Sequence, residues 1–117
     1  MEMETMKRLI AVLLAAVVIQ KGWATAYCIT GKTASGTYTT ENRTVAGQRK
    51  DFGKAVHIWL DDGEGEIKAE NFIGSYVIED TGGEPIRNGR VLDIYMPKYE
   101  DCKQFGGRRI LYQIEER

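Results

Sequence analysis

The sequence predicts a small, mainly β protein: six short strands closing into a barrel, one short helix, and an apolar segment ahead of them. Three observations carry that reading. Helical periodicity is nearly absent after the apolar segment, strand-like runs recur between Gly, Asn and Asp clusters, and most of the thirteen glycines and both prolines fall between those runs. With 117 residues the chain has room for one core.

The first element is Leu9 to Ile19 (LIAVLLAAVVI), uncharged, eleven residues long and preceded by Lys7 and Arg8. It is short for a bilayer span and suits the apolar region of a secretory signal, with Ala24-Thr25-Ala26 as a small-residue cleavage site. The expected division is therefore a signal or uncleaved membrane tether over 1–26 and a folded domain over 27–117, in an exported or envelope protein. Glu2 and Glu4 fit such a segment poorly, and Met6 offers a better start.

Strands are expected at Ala24 to Ile29, Thr44 to Ala46, Ala55 to Leu60, Phe72 to Glu79, Val91 to Tyr95 and Arg109 to Glu115. A helix is expected at Lys98 to Phe105, after Pro97 and stopped by Gly106 and Gly107. The acidic run Asp61 to Glu66 lacks the alternating ligands of a calcium loop and reads as a solvated turn.

Charge excludes one class of partner. Sixteen Lys plus Arg against seventeen Asp plus Glu leave no phosphate-neutralising surface, so nucleic acid is not expected. Removing residues 1–26 would make the net charge −2. Cys28 and Cys102 lie far apart with no metal-ligand or redox-motif spacing; they form either a disulfide or two buried thiols. His57, the single histidine, sits between Val56 and Ile58, on the opposite strand face from both, and no nucleophile motif accompanies it.

The carboxylates are more informative. Asp80 ends one apolar run, and Asp93 interrupts the next, Val91-Leu92-Asp93-Ile94-Tyr95, where it would otherwise read as barrel core. A desolvated carboxylate needs partners or a proton. Both could be structural, accepting hydrogen bonds from the glycine-rich loop between them; alternatively, burial and mutual repulsion raise a carboxyl pKa and yield a general acid.

Four segments in order, TAYCITGKTASG (25–36), TVAGQRKDFGKAV (44–56), VIEDTGGEPIRNGRVLDIYMP (77–97) and CKQFGGRRILYQI (102–114), resemble the three-aspartate or 3D domain. This is the minimal catalytic barrel of the membrane-bound lytic transglycosylase A family. The resemblance implies a double-psi β-barrel that cleaves peptidoglycan between N-acetylmuramic acid and N-acetylglucosamine, leaving a 1,6-anhydro sugar, with no metal or organic cofactor. It implies that Asp93 is the catalytic residue and that Asp80 positions it and raises its pKa. By the same resemblance Thr33, Ser35 and Gly36 line the glycan groove, and Gly82 and Gly83 let the backbone approach the sugar. Gln48 stands where the family's first aspartate is expected, which removes a charge and opens the alternative of a glycan-binding barrel without catalysis. The expected partner is the peptidoglycan glycan strand, with the membrane met only through the N-terminal segment and the protein a monomer.

Overall fold

The computed structural model describes residues 2–7 and 18–116. The apolar run expected to be a signal or tether lies largely outside the described residues. Among the described residues no helix is long and apolar enough to cross a membrane.

Six strands carry the fold: β1 (Gln20–Tyr27), β2 (Thr44–Ala46), β3 (Ala55–Leu60), β4 (Phe72–Asp80), β5 (Val91–Tyr95) and β6 (Arg108–Ile114). They form a closed barrel in the order β1-β5-β2-β4-β3-β6. Closure leaves no free sheet edge, which suits strands as short as β2. Between strands lie the α-helices α1 (Glu84–Arg87), joining β4 to β5, and α2 (Tyr99–Phe105), joining β5 to β6. The second matches the expected helix; the first, a single turn with Pro85 near its start, was expected to be loop.

Alternation along each strand builds the core. Ala24, Val45, Val56, Ile58, Ile78, Leu92, Ile94, Ile110 and Tyr112 converge inside the barrel. Gly22 also faces inward: a Cβ there would stand 3.1 Å from both the Arg90 carbonyl oxygen and the Tyr112 ring, so the glycine makes room for that ring. Between Leu92 and Ile94, Asp93 faces outward, so it does not interrupt the core as its apolar neighbours implied.

Two findings revise the expected boundaries. β1 begins at Gln20 rather than Ala24, and it is parallel to β5 and antiparallel to β6. Ala24 is fully buried, so the folded unit takes in residues assigned to the segment 1–26, and a cut after Ala26 would remove most of a central strand. At the other revised end, β4 continues to Asp80 through an irregularity: Val45 pairs with Ile78, but the next residue, Ala46, pairs with Asp80. Glu79 is the extra residue of that bulge, buried and accepting bonds from the Thr44 hydroxyl at 3.0 Å and Arg43 Nε at 3.2 Å. Simple alternation from inward-facing Ile78 would send Asp80 into the core; the bulge turns it to the outer face.

Candidate active site

The strand register brings together residues distant in sequence. Ala46 of β2 pairs with Asp80 of β4 on one side and with Asp93 of β5 on the other, and Asp93 pairs with Thr25 of β1. The row Asp80, Ala46, Asp93, Thr25 thus crosses four neighbouring strands on the outer face. Two strand spacings, about 10 Å, separate the backbones of the aspartates, with the small Ala46 side chain between them. Above this row opens a cleft of about 250 Å³ lined by Tyr27, Ile29, Gly31, Lys32, Thr39, Ala46, Asp80, Thr81 and Asp93.

The two carboxylates are held differently. Asp80 receives three donors: Tyr27 hydroxyl to Oδ2 at 3.0 Å, and the backbone amides of Ala34 and Thr81 to Oδ1 at 3.0 and 2.9 Å. Its carboxylate is fixed and largely saturated. Asp93 takes a bond from the Thr25 hydroxyl to Oδ1 at 2.8 Å. Burial pushes the Asp93 pKa above the usual carboxylate range, and the nearby Asp80 charge adds to that shift while the Thr25 bond opposes it. Burial and the Asp80 hydrogen bond likewise drive the Tyr27 phenol upward, so Tyr27 stays a donor to Asp80.

The 28–43 connection folds against this row. Thr30 bonds Tyr95 through their hydroxyls, Lys32 bridges to Tyr38, and the Ser35 amide donates to the Glu79 carbonyl at 3.1 Å. Thr33 and Ser35, expected in the groove, instead turn their hydroxyls toward one another and toward Thr37, with Thr33 to Thr37 at 2.8 Å. Gly36 serves the turn, with φ at +98° and its amide on the Thr33 carbonyl. This segment reaches the site through the Ala34 amide and presents Ile29, Gly31, Lys32 and Thr39 to the cleft.

Three further expected site residues stand elsewhere. Gln48 lies outside the cleft; its Nε2 donates to the Arg87 carbonyl at 2.9 Å and its side chain packs on Gly89, so it fastens the connection that carries α1. A Cβ on Gly82 would come within 2.7 Å of Ile86 Cδ1, the mobile tip of a side chain in the same turn, and Gly82 does not line the cleft. Gly83 precedes α1 in extended conformation and does not line the cleft. From the same motif, Thr81 does line it, and its hydroxyl oxygen is buried and unpartnered among the described residues, a bond that a ligand hydroxyl could satisfy.

Both cysteines are free thiols in the structure, so the disulfide alternative is not formed. The Cys102 thiol donates to the Met96 carbonyl at 3.1 Å, and burial together with the neighbouring Cys28 pushes its pKa up. On the far side of the barrel His57 is bonded through Nδ1 to Ser75 at 2.7 Å and through Nε2 to Glu115 at 3.0 Å. No group of His, Cys, Asp and Glu arranged to hold a metal occurs among the described residues.

Of the residues at the site, Thr25, Tyr27, Ile29, Gly31, Lys32, Ala34, Thr39, Ala46 and Thr81 are not singled out by the sequence. Thr25 and Tyr27 had a signal: they alternate on the outward face of the first strand and precede the TGKTASG segment. Nothing in the sequence marked which carboxylate each would meet.

No family model matches the chain, and no curated protein matches it. Among solved structures, the crystal structure of MltA from E. coli is similar, with a TM-score of 0.51 and 22% sequence identity over 72% of this chain and 27% of that one. The chain therefore spans about a quarter of the length of that protein, and what the two share is the fold: this chain has an MltA-like, six-stranded β architecture.

Proposed function

We propose that the chain is an exported peptidoglycan lytic transglycosylase built on a double-psi barrel, with Asp93 as its catalytic residue. The observation that carries this reading is the unequal treatment of the two carboxylates in one cleft: Asp93 is desolvated with a raised pKa, whereas Asp80 is held by three donors. A protonated Asp93 can give its proton to the glycosidic oxygen as that bond breaks. Its carboxylate then takes the proton from the muramyl carbon-6 hydroxyl as that oxygen closes on the anomeric carbon. The hydroxyl belongs to the same sugar, so the attack needs no second carboxylate to activate water. Asp80, with its oxygens occupied, fits the role of a fixed negative charge that sustains the Asp93 pKa and poorly fits that of a second base.

A second reading, a glycan-binding barrel without catalysis, draws on Gln48 standing at the position of the family's first aspartate. Gln48 points away from the cleft, so its missing charge leaves the cleft's carboxylates intact, which favours the first reading. Incubating the protein with peptidoglycan sacculi and analysing the products by mass spectrometry separates the two. Anhydromuropeptides that disappear with Asp93→Asn support catalysis; intact glycan with measurable binding supports the second reading.

A further inference from the structure

A second concave patch shares the outward face of β1 with the candidate site. Trp23, Thr25 and Tyr27 alternate along that face while Ala24 points into the core. Trp23 lies two residues, about 7 Å along the strand, from the Thr25 that holds Asp93. It is 47% exposed, and the Arg109 guanidinium from the neighbouring strand sits over its ring, 5.6 Å from the centroid. Around them is a hollow of about 390 Å³ that also takes in Lys21, Arg90 and Asp61. Lys21, Arg90 and Arg109 have no carboxylate within ion-pair distance among the described residues, although the whole chain has net charge −1.

We infer that Trp23, Arg90 and Arg109 form a subsite for the acidic peptide substituents of the glycan whose cleaved bond lies at Asp93. The inference rests on the proposed function. An exposed indole offers a flat apolar face, and guanidinium groups bind carboxylates through paired N–H donors. The hollow is concave and holds Asp61 on its wall, which fits a discrete carboxylate-bearing ligand better than a broad anionic membrane surface.

The test uses the full chain carrying Asp93→Asn, so that nothing is cleaved, and compares by calorimetry purified glycan strands bearing peptide stems with the same strands stripped of peptide. The expected result is at least about tenfold tighter binding of the stem-bearing strands, a preference that weakens as salt rises. Adding Arg90→Gln and Arg109→Gln should bring the two affinities within about twofold of each other, while Arg90→Lys with Arg109→Lys keeps part of the preference. A thermal melt that matches the parent shows that the variants are folded. Equal binding of both strands by the parent overturns the subsite alone. Loss of both affinities to the same extent in the Gln variant also overturns it, as does charge-dependent binding to phosphatidylglycerol vesicles with no preference among the strands. Failure to bind either strand overturns the glycan reading itself and the subsite with it.

Discussion

From β4 through β3 and β6 back to β1 every pairing in the barrel is antiparallel, whereas from β1 through β5 and β2 to β4 two of the three pairings are parallel. Each half carries titratable side chains on its outer face. On the antiparallel half His57 is linked to Ser75 and Glu115 across neighbouring strands. On the other half Asp80 and Asp93 lie under the 28–43 connection. The difference follows from chain routing: β1 and β2 are consecutive in the chain but have β5 between them in the barrel, so the 28–43 connection must pass over β5. A crossover can form a cleft wall and desolvate what lies beneath it. Hydrogen-bonded titratable groups are thus common to both halves, and the cleft that holds the paired aspartates belongs to one.

β1 closes both halves, so the most severe way to break the comparison is to remove it. A chain begun at Tyr27 loses Ala24 from the core and Thr25 from Asp93, and should show no cooperative thermal unfolding, whereas a chain begun at Val18 should melt as the parent does. Differential scanning calorimetry of the two checks this. Next is the contrast in chemistry: Asp93→Asn should lower anhydromuropeptide release by about 10²–10⁴-fold, and His57→Ala should leave it within about twofold. The same Asp93→Asn change should raise Tm at neutral pH. A carboxyl whose pKa is raised on folding favours the native state below its unfolded pKa, and that contribution is lost as pH rises through the folded value.

A finer test shifts the pH profile. A general acid must be protonated, so activity falls as pH rises through the Asp93 pKa. Asp80→Asn removes a charge that raises that pKa and should move this fall to lower pH, with less loss of activity than Asp93→Asn causes. Thr25→Val removes a bond that lowers it and should move the fall to higher pH. Rate profiles on sacculi against pH would read both directions. The smallest effect is expected at Gln48→Ala, which frees the Arg87 carbonyl and should cost about 1 kcal/mol of stability without moving the pH profile, measurable by urea titration.

Much of the barrel was legible in the sequence because strand formation is local: β2, β3 and β5 fall at the expected residues, where apolar alternation ends in turn residues. The sequence alone shortens β1, because Lys21 and Gly22 look like the trailing flank of an apolar segment. Their strand character comes from β6, some ninety residues on, where Lys21 pairs with Leu111 and Gly22 with Ile110. The motif that pointed to Asp80 and Asp93 also led to the cleft. Its glycines did not, because neither Gly82 nor Gly83 lines the cleft. Thr25 and Tyr27 could not be assigned to their carboxylates from sequence, since those pairings span 68 and 53 residues and depend on which strands become neighbours.

The bulge at Glu79 gives this site an uncommon mutational geometry. Most substitutions near Asp80 would tune the cleft, but straightening the strand at constant length, so that Glu79 takes a regular place in the ladder, would rotate the carboxylate into the apolar interior, whereas deleting Glu79 would leave Asp80 next to inward-facing Ile78 and still on the outer face. The presence of a second acid in the cleft therefore depends on the irregular pairing of one strand as much as on the identity of its last residue.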